Sequence, residues 1–188
     1  FAPHSRVMAV VKADAYGHGL LQTAQSLINV DGFALLELDA AISLRDAGYR
    51  QPILLLEGFF STQELALFEQ YRLSAVIHHT EQIAMLLAAK YPQLNLFLKI
   101  NTGMNRLGLP PERISTIINQ LQENHYQKNI TLMTHFASAD DRAQHDSVIQ
   151  QIERFQQAAH PHAHLRSLAN SAALIRYPQS HADWVRPG

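Results

Sequence analysis

Short, almost unbroken apolar runs alternate along this chain with longer stretches in which apolar residues recur every three or four positions. The first run, Val7-Met8-Ala9-Val10-Val11, reads as a strand buried on both faces, and Leu20, Leu21, Ala24, Leu27 and Ile28 follow at helical spacing. Residues 32–36 form a second strand, with a helix over about 38–47 that stops at Gly48. A third strand spans 52–57, and Ser61-Thr62-Gln63-Glu64 has the spacing of a capping box, so a helix starts there and runs to about residue 70. The fourth strand, 73–77, ends in His78-His79, and Thr80 caps the helix carrying Ile83, Leu86 and Leu87. After a fifth strand at 94–100, Pro110-Pro111 opens a helix with Ile114, Ile117, Ile118 and Leu121 on its inner face. Strand six is 130–134, a polar-faced helix covers about 144–158, strand seven is 165–169, a short helix starts near 172, and Trp184-Val185 lies in an eighth strand.

Strands alternating with helices imply a parallel sheet, and eight of them close a (β/α)₈ TIM barrel. The competing open sheet lacks its signature, since no G-x-G-x-x-G follows the first strand. Polar residues of unusual kind instead stand at the end of almost every strand: Lys12, Glu57, His78, Lys99, His135, Asn170 with Ser171, and Arg186. A barrel gathers all those ends on one face, where barrel enzymes keep their chemistry. Residues 1–188 are therefore read as one barrel domain. The length is short against the ~250 residues typical of the fold. With Phe1 at the start and Gly188 directly after the last strand, that shortness suggests a barrel truncated at both ends of a longer protein.

Composition narrows the class. With 47% hydrophobic and 16% charged residues and no apolar run near the ~20 residues that cross a bilayer, the chain reads as a soluble globular domain. A net charge of -1 gives no reason to expect nucleic acid or a membrane surface as partner. The absence of cysteine excludes disulfides and thiolate metal sites and is compatible with the cytoplasm. His160-Pro161-His162-Ala163-His164 has the look of a metal tract, but it has no cysteine or carboxylate beside it and precedes strand seven, on the face opposite the strand ends. No metal is expected.

The strand ends hold the candidate chemistry. Lys12 stands where the first strand turns toward a helix; an amine at the mouth of an apolar site loses its proton readily and attacks carbonyls, although a strand-end lysine can also simply reach solvent. The glycines around His18 permit backbone conformations closed to other residues. Lys99 to Gly108 places two cations and two glycines after strand five, either a solvated loop or a binding segment. His135, taken alone, reads more readily as a hydrogen-bonded structural residue. Asn170-Ser171 is a plain helix cap or, with Gly188, a phosphate cradle of the kind that barrels build after strands seven and eight.

The stretch V-V-K-A-D-A-Y-G-H-G at residues 10–19 closely resembles the pyridoxal phosphate attachment segment of bacterial alanine racemases, and four further segments match that family in order. The resemblance implies the N-terminal barrel domain of a fold-type III enzyme, an isomerase that interconverts L- and D-alanine for peptidoglycan in the bacterial cytoplasm. It makes Lys12 the lysine joined to the cofactor as an internal aldimine, with Tyr16 near the phosphate. Arg106 would face the phenolic oxygen and the substrate carboxylate, with Met104 of the same segment at the substrate. The position of Lys99 is often carboxylated in this family, which would give Arg106 a bidentate anion. Asn101 departs from the aspartate expected there, removing one carboxylate near Arg106 and leaving the modification of Lys99 open. His135 would lie beside the cofactor ring, and Ser171 and Gly188, with Asn170 next to them, would hold the phosphate. Arg186 would point at the pyridine nitrogen; a guanidinium does not surrender its proton, so the ring stays a weak electron sink and transamination is disfavoured. The family's second acid–base group is a tyrosine from a C-terminal β domain of the partner subunit of a homodimer. Residues 1–188 lack such a domain, so alone they are expected to hold the cofactor weakly and racemise poorly. Two readings compete: a single-domain pyridoxal phosphate carrier without turnover, and a class I aldolase whose lysine attacks substrate directly.

Overall fold

Eight parallel strands close on themselves in strict sequence order. The structure, a computed structural model, describes residues 1–126 and 130–188. The strands are β1 (Arg6–Val10), β2 (Gly32–Leu35), β3 (Ile53–Leu55), β4 (Ser74–Ile77), β5 (Asn95–Lys99), β6 (Ile130–Met133), β7 (Leu165–Asn170) and β8 (Trp184–Arg186). Closure is made by β8 lying back on β1, with Arg6 opposite Trp184 and Val7 opposite Val185. Helices α1 (Lys12–Gly17), α2 (Leu20–Ser26), α3 (Leu38–Asp46), α4 (Glu64–Gln70), α5 (Thr80–Ala89), α6 (Ile114–Glu123), α7 (His145–Ala159) and α8 (Ser171–Arg176) fill the crossovers. No helix among the described residues is long and apolar enough to cross a membrane.

The apolar runs are continuous because each strand is covered on both sides. Side chains alternate across a strand, so one set points to the axis and the other to the helices. Met8, Ala34, Leu54, Val76, Phe97, Met133 and Trp184 fill the barrel, while Phe33, Leu35, Ile53, Leu55, Ala75 and Ile77 pack outward. Ile114, Ile117, Ile118 and Leu121 of α6 and Val148, Ile152, Phe155 and Ala159 of α7 cover that outer face. At the N-terminal mouth Trp184 forms the floor, with the Arg6 guanidinium 4.2 Å above its ring centre. All eight strands expected from the sequence are present, and each is short, three to six residues.

Two helix starts differ from the sequence reading. His79, not Thr80, caps α5: its ring nitrogen accepts from the Glu81 N–H at 3.3 Å and Gln82 completes the box. Helix α4 begins at Glu64 rather than Ser61. Ser61 Oγ does accept from the Glu64 N–H at 3.4 Å, but the Glu64 carboxylate reaches the Phe60 N–H at 2.8 Å, so the reciprocal pair closes a turn before the helix.

Candidate active site

A cavity of about 190 Å³ opens at the C-terminal mouth of the barrel. It gathers Lys12, Tyr16, Lys99, Arg106, His135, Asn170, Ser171, Arg186 and Gly188, contributed by the ends of five strands and the loops behind them. Met104, expected at the substrate, is not among its lining residues, whereas Arg106 of the same loop is. Glu57, noted in the sequence only as a strand-end residue, is the one carboxylate on the cavity wall among the described residues.

Lys12 follows β1 at once, and the backbone behind it does something the sequence does not announce. Ala13, Asp14, Ala15 and Tyr16 all have φ between 51° and 56°, a full left-handed turn made without glycine. Each such residue costs roughly 1–2 kcal/mol, so the surroundings must impose it. Asp14 does part of this: its carboxylate accepts from the Leu20 N–H at 2.7 Å and its carbonyl from the Gly19 N–H at 3.0 Å. Gly17 and Gly19, with φ of 85° and 87°, complete the reversal into α2. The turn swings Tyr16 back over the barrel mouth, with its ring centre 6.0 Å from the Lys12 ammonium.

Opposite Lys12, Ser171 Oγ accepts from the Gly188 N–H at 3.0 Å and donates to the Gly188 carbonyl at 3.2 Å. A Cβ on Gly188 would lie 2.5 Å from the Tyr16 hydroxyl, so any other residue there would have to push the tyrosine aside. Asn170 is the cap the plain reading expects: its side chain accepts from the Ala173 N–H at 3.0 Å and donates to the Phe136 carbonyl at 3.3 Å.

Arg186 is buried deepest. Its terminal nitrogens donate to Ser167 Oγ, the Thr134 carbonyl and the Leu168 carbonyl, all neutral acceptors, and burial pushes its pKa down to about 10. It remains a cation at neutral pH, without an anionic partner among the described residues. Lys99 is pushed down to about 8 by burial first, then by the charges of Arg106 and Arg186, with Glu57 pulling the other way. His135 is pushed down to about 3, again by burial and then by Arg186, Lys99, Arg106 and Lys12, so its imidazole is neutral. Glu57 is held by a clamp: Gln82 Nε2 donates to the Glu57 carbonyl at 2.9 Å, and His78 Nε2 contacts the same oxygen at 3.1 Å. His78-His79 is thus spent on supporting β3 and capping α5. The histidines before β7 lie away from the cavity, with His162 hydrogen-bonded to Ser115 at 3.0 Å and His164 at the opposite mouth.

The site is thus the C-terminal mouth of a parallel barrel, with the Lys12 amine on one side, a small-residue cradle on the other, and cations outnumbering anions on the wall. The chain belongs to the alanine racemase N-terminal domain family, whose model matches residues 1–188. It is 58% identical over 188 residues to an alanine racemase of Nitrosospira multiformis and 48% identical to a catabolic alanine racemase of Klebsiella aerogenes. Its whole length covers 53% and 52% of those two proteins, so the chain spans about half the length of its relatives. It superposes on the biosynthetic alanine racemase of Pseudomonas aeruginosa with a TM-score of 0.94 at 41% identity, covering 100% of this chain and 52% of that one.

Proposed function

We propose that this chain is the cofactor-holding half of an alanine racemase that uses pyridoxal phosphate. The observation that carries the reading is the meeting, in one cavity, of the Lys12 amine, the Ser171–Gly188–Tyr16 cradle and a buried cation with only neutral partners, Arg186. A pyridine bearing a phosphate and an aldehyde fits that donor set: Lys12 would hold the aldehyde carbon, Ser171, Gly188 and Tyr16 the phosphate, and Arg186 the ring nitrogen. When bound, pyridoxal phosphate withdraws electrons from an amino acid's Cα and so makes its proton removable.

The chain's own residues do the rest. Lys12 takes or returns the Cα proton on one face. Arg186 keeps its proton even at a pKa of about 10, so it would hold the ring nitrogen without donating a proton to it, which would favour racemisation over transamination. Arg106 binds the substrate carboxylate and orients Cα toward Lys12. His135, neutral, adds no further charge beside the ring. Lys99, with a pKa of about 8, has a fraction of neutral amine at physiological pH, the form that carbon dioxide carboxylates; the product would give Arg106 the anion Asn101 does not. The acid–base group on the other face of Cα comes from the partner subunit of a cytoplasmic homodimer, and the D-alanine formed serves peptidoglycan.

The test is direct. Whole protein given pyridoxal phosphate should gain an absorbance band above roughly 400 nm, be trapped by borohydride on the Lys12 peptide, and convert L-alanine to D-alanine; Lys12→Ala should lose all three. A protein that stays colourless and carries no adduct at Lys12 overturns the reading.

A further inference from the structure

We propose that Thr102 and Thr134 are positioning residues, a buried hydroxyl latch that fixes the loop carrying Arg106 to the strand end that anchors Arg186. The loop of residues 101–108 leaves β5 and returns at Leu109, where backbone bonds from the Asn101 N–H to the Leu109 carbonyl, 2.9 Å, and from the Leu109 N–H to the Lys99 carbonyl, 2.7 Å, pin its base. Asn101 shapes its interior, accepting from the Gly103 and Asn105 N–H groups at 3.2 and 3.1 Å. Those bonds set the loop's form and tie its two ends to β5, but they do not fix it to the strand end that anchors Arg186. Arg106 itself is exposed and has no hydrogen-bond partner among the described residues, so its place in the cavity is decided by where the backbone holds it.

Thr102 supplies the attachment. It is the only fully buried residue of the loop, 1% exposed, and its hydroxyl lies 2.8 Å from that of Thr134. Thr134 spends its single proton on the Ile100 carbonyl at 2.9 Å, so Thr102 must be the donor between the two. The Thr134 carbonyl in turn accepts from Arg186. One buried residue therefore touches both the Arg106 loop and the Arg186 guanidinium. Arg154 of α7 adds a second hold on the Thr102 carbonyl at 3.2 Å, beside Gly103, where a Cβ would lie 3.1 Å from Gln151. The latch keeps the two guanidinium groups at a set spacing across the cavity.

The inference deepens the reading of Arg106 as the substrate's carboxylate ligand and rests on it. Thr102→Val keeps the shape and removes the hydroxyl; Thr102→Ser keeps the hydroxyl and removes the methyl; Thr102→Ala replaces valine where that variant does not fold. In the whole, cofactor-loaded protein, Thr102→Val should raise KM for L-alanine about tenfold with kcat within about threefold, and Thr102→Ser should stay near the parent. In the same protein stripped of cofactor, trypsin should cut Arg106–Leu107 about tenfold faster in the valine variant, relative to cutting at Arg50–Gln51, as expected when a local tether is released. Serine as damaging as valine, or cleavage at Arg106 unchanged, overturns the latch. Faster cleavage with an unchanged KM upholds the latch and overturns the role given to Arg106.

Discussion

A lysine and a histidine buried among cations give the ligand-free barrel a marked pH dependence. Lys99 falls from 10.5 to about 8 on folding, so between those values the unfolded chain binds the proton that the folded chain has lost. Stability should therefore rise with pH across that window, and Lys99→Met should flatten the rise, as read from urea midpoints of the cofactor-stripped protein near each end. His135 falls from 6.5 to about 3, which gives the opposite edge: stability present above 6.5 is lost as pH drops toward 3. His135→Phe should remove that share of the acid sensitivity. The residues behind these shifts were legible in the sequence where their chemistry is rare at a strand end, as for Lys12, Lys99, His135 and Arg186. The hydroxyls of Thr102, Thr134 and Ser167 were not, because a small polar residue in a loop or at a strand looks like ordinary filling until its partner 17–34 positions away is known. Glu57 was visible as a strand-end carboxylate, but only closure of the barrel brings it to the cluster of cations.

Between residues and fold stands the left-handed turn of α1, where local preference and tertiary context disagree. Alanine and tyrosine carry no sequence sign of positive φ and a single aspartate only a weak one, which is why the strand–helix pattern was readable on both sides of this turn and its hand was not. If the barrel imposes the conformation, glycine should be welcome there. Ala13→Gly, at an exposed position with φ 51°, is expected to leave stability unchanged or raise it by up to about 1 kcal/mol. The same change at Ala84, exposed in the right-handed α5, should cost about 1 kcal/mol. Thermal or urea unfolding of the two variants side by side gives the comparison, and equal losses would mean that the turn is not strained. The displaced starts of α4 and α5 have a related origin. A histidine ring nitrogen accepts as a serine hydroxyl does, and a capping box can close one turn early, so the cap residues were named in the right neighbourhood without their final partners.

At the scale of the whole barrel, the seam between β8 and β1 joins floor to site. Counting strands was enough to predict a closed sheet, since eight parallel units with short links have few other ways to bury both faces; the register at the seam was not readable, because any pairing of two apolar runs satisfies the same pattern. In the register adopted, Trp184 and Arg186 are two apart on β8 and point to the same side, one plugging the N-terminal mouth and the other entering the cavity. Ser167 binds them together, donating to the Trp184 carbonyl at 3.2 Å and accepting from Arg186. Trp184→Ala should then do two things: cost about 3–5 kcal/mol of stability as a core truncation, and loosen Arg186 enough to weaken pyridoxal phosphate binding although the residue is at the far mouth. Arg6→Ala removes only the stacked cation on the exposed side and should cost no more than about 1 kcal/mol, leaving cofactor affinity alone. Trp184→Phe, which keeps an aromatic plug, separates the two effects: if it restores stability but not affinity, the floor acts on the site through the position of β8, and if it restores both, filling the mouth is sufficient. Unfolding midpoints paired with cofactor titrations on the three variants decide between them, and a Trp184→Ala protein of unchanged affinity would show that the ends of the barrel act independently.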